Sequence, residues 1–274
     1  MRYPALSCGT RLLVLTSLLG ALGCGSVEEG SAAVQIDGRE VAYEVAGNGE
    51  TTVVFENGHG SERIVWSEVF GEVSKLAKVF RYDRAGYGQS DSSSAPRTAA
   101  QIVSELRATL DALGLDPPYV LVGHSLGGMY MEYYAKTFPQ EVAALVLVDS
   151  RPADFTDRCS AEFDAERCLV PDALVDRMPP HEQAELRAIS QVETEVSTAP
   201  DLQSMPVFVL SSGKSSDPTA SDVHELWLEA QEDLAAQAPN SLHIVVPDAG
   251  HFIQLQAPDV VIRTIGTAVD ASSG

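Results

Sequence analysis

A serine set between glycines follows a short apolar strand pattern in residues 119–130, YVLVGHSLGGMY. Gly123 and Gly127 lie two positions on either side of Ser125, and an amphipathic helix pattern begins directly after it. A sharp turn from strand to helix strains the backbone of its middle residue, and glycines remove the Cβ atoms that would clash there. Such a turn exposes the serine hydroxyl at a helix N-terminus, where free N–H groups stabilise negative charge. The pattern therefore predicts that Ser125 is a nucleophile.

A serine hydroxyl becomes a good nucleophile only when a base removes its proton, so Ser125 needs a histidine partner. The chain has six histidines, and His251 alone follows the last strand pattern on a glycine-containing loop, Asp248-Ala249-Gly250-His251-Phe252. That loop belongs to the carboxyl edge of the predicted sheet, where Ser125 also emerges. We therefore expect His251 to be the general base.

Apolar, β-branched segments alternate with helical patterns along most of the chain, which is typical of a mostly parallel sheet with crossover helices. The predicted strands are Val34–Ile36, Val41–Val45, Thr51–Phe55, Lys78–Tyr82, Tyr119–Val122, Ala144–Val148, Val207–Leu210 and Leu242–Val246. The predicted helices are Glu62–Leu76, Ala99–Leu113, Leu126–Phe138, Ser221–Ala238 and Pro258–Val269. The predicted fold class is α/β, with eight strands and helices on both faces of the sheet.

One segment interrupts this alternation. Residues 151–204 are rich in Asp, Glu, Arg and Pro and contain helical pieces but no strand pattern. An insertion between two neighbouring strands would lie above their carboxyl ends, where open α/β sheets bind ligands. We expect a single domain over residues 34–270, with residues 151–204 forming a helical cap over the site.

Four motifs occur in the order, and on the elements, that are found in the α/β-hydrolase family. Besides the Ser125 turn and the His251 loop, Glu56-Asn57-Gly58-His59-Gly60 resembles the family's oxyanion loop. Tyr82-Asp83-Arg84-Ala85-Gly86-Tyr87-Gly88-Gln89-Ser90 resembles its turn after the next strand. The resemblance covers nearly all of residues 34–270 and implies the α/β-hydrolase fold and a Ser-His-Asp triad.

The imidazole of such a triad needs a carboxylate that fixes its tautomer and stabilises its protonated form. The resemblance implies that this acid follows the strand before the last helix–strand pair, and Asp217 fits that position. Asp149 is the alternative acid, because it ends the predicted strand Ala144–Val148 and some family members use that edge. Asp222 is a weaker candidate, because its position at the start of a predicted helix accounts for an aspartate without a catalytic role.

The tetrahedral intermediate of acyl transfer needs N–H donors for its oxyanion. Leu126 follows the nucleophile directly, so its N–H is one predicted donor. The resemblance implies that the N–H of His59 is the second, although family members often have His-Gly where this chain has Asn57-Gly58. The His59 side chain could line the acyl pocket or cap its own loop.

The N-terminus has the pattern of an export signal. Arg2 and Arg11 precede an apolar run from Leu12 to Leu22, which is too short for a bilayer span of about 20 residues. The run ends in Ala21-Leu22-Gly23-Cys24, which resembles a bacterial lipoprotein processing site apart from Ala21. We expect a signal peptide over residues 1–23, a lipidated Cys24 and a polar tether over residues 24–33. Simple cleavage and secretion, and an uncleaved cytoplasmic chain, are the alternatives.

Two further cysteines, Cys159 and Cys168, lie in the charged cap segment. In an oxidising compartment such a pair is expected to form a disulfide. Metal binding is the alternative, but the segment has no C-x-x-C motif or nearby histidine, so no metal site is predicted.

The composition narrows the function further. A formal net charge of −21 disfavours nucleic acid and anionic lipid surfaces as partners, since both require basic patches. No dinucleotide or phosphate-loop motif is present, and no cofactor is implied. The sequence predicts a serine hydrolase that cleaves a small acyl compound, most simply a carboxylic ester. An aminopeptidase, a lactonase and a non-catalytic binding module of the same fold are alternatives, and the sequence does not determine the oligomeric state.

Overall fold

A computed structural model of the protein describes residues 29–215 and 219–272. The predicted signal peptide and the predicted lipidation site Cys24 lie outside these ranges, as does Asp217, the first candidate for the triad acid. Among the described helices, none combines the length and the apolar character that a membrane crossing requires.

The structure is built on one eight-stranded sheet with strand order β1-β2-β4-β3-β5-β6-β7-β8. The strands are β1 Gly30–Ile36, β2 Arg39–Ala46, β3 Thr52–Glu56, β4 Lys78–Tyr82, β5 Tyr119–His124, β6 Val142–Val148, β7 Val207–Ser212 and β8 Ser241–Val246. β2 pairs antiparallel with both β1 and β4, and every other neighbouring pair is parallel. The predicted α/β class with a mostly parallel sheet is confirmed.

Ten α-helices connect the described strands or follow them. They are α1 Ser67–Val73, α2 Ala99–Ala112, α3 Leu126–Thr137, α4 Phe155–Glu162, α5 Ala165–Cys168, α6 Asp172–Val175, α7 Pro180–Thr198, α8 Ser221–Ala236, α9 Ile253–Gln256 and α10 Pro258–Ser272. In the described part of the chain, two short 3₁₀ helices cover Arg63–Trp66 and Pro139–Glu141.

The sheet begins earlier than the sequence indicates. Residues 30–33, predicted to belong to a polar tether, are part of β1 and pair with β2 from Gly30 opposite Val45 to Ala33 opposite Ala42. The pairing depends on backbone hydrogen bonds, which small and polar residues can form, so the composition of this segment did not reveal the strand.

Both faces of the sheet are covered by helices, as β6 illustrates. Leu145 and Leu147 join the core formed with α2 and α3, whereas Val146 and Val148 join the core formed with α1 and α10. Successive side chains of a strand point to opposite faces, so a strand covered on both faces is apolar at every position.

Helices α4 to α7 form the segment between β6 and β7, where the cap was predicted. α7 is anchored by Val192 and Val196, which are fully buried in the same core as α2 and α3. Helix α7 is therefore packed against the helices on one face of the sheet through an apolar contact.

Candidate active site

Ser125 lies in a strained turn between β5 and α3. Its backbone has φ 53° and ψ −122°, in the left-handed half of conformational space, which costs free energy for any residue with a side chain. The surrounding glycines make the turn fit. A Cβ atom on Gly123 would lie 2.6 Å from the carbonyl oxygen of Gly127, and one on Gly127 would clash with the carbonyl of Asn57. The turn predicted from the glycine spacing is present, and the Ser125 side chain is partly exposed at its tip.

The loop after β8 brings His251 to the same edge of the sheet. Its Nδ1 lies 2.7 Å from Oδ2 of Asp149, the residue that follows β6. A carboxylate oxygen can only accept, so Nδ1 donates and the lone pair of a neutral His251 is on Nε2. This is the tautomer that a general base toward a serine hydroxyl requires.

Asp149 is held as a buried carboxylate by four donors. Oδ1 accepts from the Ser212 backbone N–H at 2.8 Å and from Trp227 Nε1 at 3.1 Å, while Oδ2 accepts from Ser212 Oγ at 3.0 Å and from His251. Burial on its own would raise the pKa of this carboxyl, but the interactions with His251, Ser212 and Trp227 outweigh it and lower the pKa of Asp149. Asp149 is therefore ionised at neutral pH.

The contact that the sequence analysis assigned first to Asp217 is made by Asp149, the alternative acid. Asp217 itself lies outside the described residues. The end of β7 holds Asp149 in this position, because it supplies Ser212, whose backbone N–H and hydroxyl both donate to the Asp149 carboxylate. Asp149 has φ 43°, an unusual backbone conformation that Asp tolerates better than most residues. Asp222 pairs instead with Arg167, at 2.5 Å, on the exposed start of α8.

His124, next to Ser125, supports the loop that carries His251. Its Nε2 donates to the carbonyl oxygen of His251 at 2.9 Å, and its ring lies 4.7 Å from the ring of His251. Burial, reinforced by the nearby charge of His251, lowers the pKa of His124 to about 3. A neutral His124 can hold the loop without placing a charge of its own beside His251. The sequence analysis gave this residue no such role.

The predicted oxyanion loop lies against Ser125. A Cβ atom on Gly58 would lie 3.2 Å from Cβ of Ser125 and 2.7 Å from Nδ1 of His124, so only glycine fits this contact. The N–H of Leu126 belongs to the first residue of α3 and has no acceptor within the helix. Both predicted donor peptides therefore flank Ser125.

The His59 side chain takes neither of the two places considered from the sequence. Its Nδ1 lies 3.3 Å from Oε2 of Glu185, a buried residue on the cap helix α7. It is not among the residues that line the cavity beside Ser125. The cap supplies its partner, which no local sequence pattern could reveal.

A cavity of about 330 Å³ opens beside Ser125, Asp149 and His251. Arg151 and Phe155 contribute to it from the start of the cap segment, Ser212 and Ser215 from the end of β7, and Ala220, Val223, His224 and Trp227 from around the start of α8. Arg151 is paired with Glu193 at 3.2 Å. Phe155, Ala220, Val223 and Trp227 thus give the cavity apolar surface on the side of the cap segment and α8, and its arginine is paired with a carboxylate.

A disulfide lies behind this wall. Cys159 and Cys168 are bonded, as predicted, and pack in one cluster with Phe155, Leu226 and Ala230. The ring of Phe155 meets the ring of Trp227 edge to face at 4.8 Å. The disulfide therefore joins α4, which carries Phe155, to α5, and it packs against Leu226 and Ala230 of α8.

Residues 53–264 match the Alpha/beta hydrolase family. The chain is also similar to YqjL of Bacillus subtilis (strain 168), a protein that is itself uncharacterized. The two are 27% identical over 78% of this chain and 85% of YqjL. Among solved structures, a malate-bound thermophilic esterase from Thermogutta terrifontis has a TM-score of 0.62 at 23% identity, covering 88% of this chain and 98% of that one. The enol-lactonase from Burkholderia xenovorans LB400 has a TM-score of 0.61 at 18% identity, covering 87% and 100%.

The chain therefore belongs to the α/β-hydrolase family, and it has the fold of that family. Membership of this family supports hydrolase activity, but it does not identify the bond that is cleaved. The reaction and substrate depend on the site itself.

Proposed function

We propose that this protein is a serine hydrolase that cleaves small carboxylic esters through an acyl-enzyme. The observation that carries the proposal is the 2.7 Å contact between His251 Nδ1 and Asp149 Oδ2, together with a cavity that both residues share with Ser125. In this scheme Ser125 is the nucleophile, His251 the general base and Asp149 the orienting acid. The N–H groups of His59 and Leu126 are the oxyanion donors.

Acylation begins with attack of Ser125 Oγ on the ester carbonyl carbon. As the new C–O bond forms, the serine proton passes to His251 Nε2 and the carbonyl electron pair moves to the oxygen. The His59 and Leu126 amides stabilise that oxyanion. When the tetrahedral intermediate collapses, the bond to the leaving alkoxide breaks, and His251 returns the proton to it as the alcohol departs. Asp149, already ionised, stabilises the transient imidazolium.

Deacylation repeats these steps with water as the nucleophile. His251 takes one proton of the water while its oxygen attacks the acyl carbon, and the second tetrahedral intermediate expels Ser125 Oγ, which recovers the proton. The products are one carboxylic acid and one alcohol. The sequence of steps needs no metal ion and no redox partner.

The size and the lining of the cavity favour a substrate with a small, uncharged acyl group. A volume of about 330 Å³ is near the lower end for ligand sites in proteins, which run from about 300 to 1,000 Å³. Phe155, Val223 and Trp227 provide apolar contact, and the pairing of Arg151 with Glu193 leaves that pair without net charge. We therefore favour short acyl chains over long or anionic ones.

A substrate panel tests this proposal. Purified protein is assayed against p-nitrophenyl esters of increasing acyl length, a γ-lactone and aminoacyl anilides, with Ser125→Ala as the control. We expect hydrolysis of the short esters by the wild type and none by the variant. Preferential cleavage of anilides or of the lactone would replace the esterase with the corresponding alternative activity. A folded protein that cleaves nothing would favour a binding module.

We also propose that the protein is exported and anchored through a lipid on Cys24. The Cys159–Cys168 disulfide supports an oxidising compartment outside the cytoplasm. If the anchor exists, Cys24→Ser moves the protein from the membrane fraction to the soluble fraction of its native host. An unchanged membrane fraction would refute the anchor, and a wild type found only in the soluble fraction would point to simple secretion.

A further inference from the structure

Arg84, in the turn after β4, uses every donor of its guanidinium group inside the protein. Three of its N–H groups donate to carboxylates. Nε and Nη2 donate to Glu185 at 2.8 and 3.2 Å, and Nη1 donates to Glu56 Oε1 at 2.6 Å. The remaining two donors reach backbone carbonyls, from Nη1 to Asn57 at 2.5 Å and from Nη2 to Gly58 at 2.9 Å. A guanidinium has five N–H donors, so none is left for solvent or substrate.

The bond to Gly58 fixes the direction of a catalytically important peptide. The carbonyl of Gly58 and the N–H of His59 belong to one planar trans peptide, and they point in opposite directions. By holding the carbonyl, Arg84 directs the N–H of His59 away from itself. Gly58 also packs against Cβ of Ser125, so this peptide borders the position where an oxyanion would form. Rotation of the peptide would remove the donor and turn a carbonyl oxygen toward that position.

The cap helix α7 contributes the carboxylate that holds Arg84. Glu185 is 1% exposed and contacts Arg84, the Tyr87 hydroxyl at 2.7 Å and His59 Nδ1 at 3.3 Å. Burial alone would raise the pKa of Glu185, but Arg84, His59 and Tyr87 outweigh it and hold the pKa at about 2. Glu185 is therefore an anion at working pH and belongs to the cap, not to the sheet edge that carries the triad.

We infer that Arg84 and Glu185 are positioning residues for the oxyanion hole, and that docking of cap helix α7 holds the His59 N–H toward the nucleophile. Neither side chain touches the substrate. Their effect is confined to the states that carry an oxyanion, which are the tetrahedral intermediates and the transition states next to them. The inference depends on the proposed serine hydrolase function and specifies how its cap takes part.

Two variants and one matched control test it. Glu185→Gln keeps the size of the side chain and removes its charge, and Arg84→Lys keeps a positive charge but lacks the planar five-donor group. The control is Glu195→Gln on the same helix, since Glu195 accepts from the Ala100 N–H at 3.0 Å and so also joins α7 to the main domain. Far-UV circular dichroism and thermal unfolding verify that each protein is folded.

The readouts are kcat and KM on the best p-nitrophenyl ester, and inhibition by an alkyl trifluoromethyl ketone beside its methyl ketone analogue. The fluorinated ketone forms a tetrahedral adduct with an oxyanion, whereas the methyl ketone reports ground-state binding. We expect Glu185→Gln and Arg84→Lys to lower kcat by about 10- to 1000-fold with KM changed by less than about threefold. The affinity of these two variants for the fluorinated ketone should fall in parallel with kcat, whereas their affinity for the methyl ketone should stay unchanged. Glu195→Gln should resemble the wild type in all of these measurements.

The inference is overturned if Glu185→Gln is folded and has the same kcat as Glu195→Gln. It is also overturned if Glu185→Gln changes only KM. If Arg84→Lys does not fold, Glu185→Gln decides the question. A wild type that hydrolyses no ester would instead refute the proposed function, so the two failures are distinguishable.

Discussion

Asp149 and His251 are 102 positions apart in the chain, yet Oδ2 of the first and Nδ1 of the second lie 2.7 Å from each other. The parallel sheet makes the meeting possible, because β6 and β8 both end at the edge where Ser125 leaves β5. His251 is partly exposed, with 31% of its side chain accessible, whereas the Asp149 side chain is 2% accessible. His251 is thus partly open to the cavity, whereas Asp149, which also borders the cavity, is almost fully covered.

Replacing Asp149 by asparagine should disable catalysis and leave the fold intact. The amide can turn an N–H toward His251 and favour the wrong tautomer, a change that costs about 10⁴-fold in kcat in the serine protease triad. We expect a loss of several orders of magnitude in kcat, measured beside the thermal unfolding midpoint.

Asp217→Asn is the matched control, because the sequence also made Asp217 a candidate. It should retain near wild-type kcat. A large loss in Asp217→Asn, with an active Asp149→Asn, would reverse the assignment of the acid.

Trp227 should contribute to catalysis through Asp149. Trp227→Phe keeps an aromatic ring in the cavity wall but removes the 3.1 Å hydrogen bond from Nε1 to Asp149 Oδ1. Three donors to Asp149 remain, so we expect kcat to fall by only about tenfold, which corresponds to about 1.4 kcal/mol.

Phe155→Leu provides the comparison, since Phe155 belongs to the same wall and contacts the Trp227 ring. Its main effect should be on KM. Equal kcat values for Trp227→Phe and the wild type would show that the indole N–H does not assist Asp149.

The disulfide should stabilise the cap. Closing a loop of this size is worth about 2–3 kcal/mol in the chain-entropy account, so the double variant Cys159→Ala/Cys168→Ala should unfold at a lower urea concentration than the wild type. Reduction of the wild type with dithiothreitol should produce the same shift, and reduction of the double variant should produce none. An unchanged midpoint in both cases would contradict this expectation.

Acid should remove the stabilising contribution of Glu185. Its pKa is about 2 in the folded protein against an ordinary value of 4.5, so the folded state favours the ionised carboxylate. A depressed pKa contributes stability that is fully present above the unfolded pKa and is lost as the pH falls through the folded pKa. The loss should therefore occur between about pH 4.5 and pH 2.

The measurement is urea unfolding of wild type and Glu185→Gln at several pH values. The wild type should be more stable at pH 7, with a charge-dependent contribution on the order of 3 kcal/mol. The difference should shrink steadily below pH 4.5. A difference that is equal at pH 7 and pH 2.5 would show that charge is not the source of the stability.

The predictions from sequence succeeded where local chemistry dictates local structure. Gly123 and Gly127 are required by close backbone contacts that any Cβ atom would violate, so their spacing revealed the Ser125 turn. The alternation of apolar and amphipathic segments likewise predicted the strands, because a strand such as β6 is buried on both faces.

The features that sequence could not reveal depend on contacts between distant segments. Asp149 and Asp217 each follow a strand, and nothing local shows that Ser212 and Trp227 would supply donors to the first. Glu185 is one of many acidic residues in a charged segment, and its burial against Arg84 follows only from how α7 docks. The side-chain partner of His59 was missed for the same reason.

Covalent labelling of Ser125 tests the central claim most directly. The wild type is incubated with an alkyl fluorophosphonate, and intact mass spectrometry and peptide mapping follow the adduct. We predict a single phosphonyl group on Ser125, much slower labelling of His251→Ala and no adduct on Ser125→Ala. A folded wild type that remains unlabelled, or a Ser125→Ala variant that labels as fast as the wild type, would contradict the account.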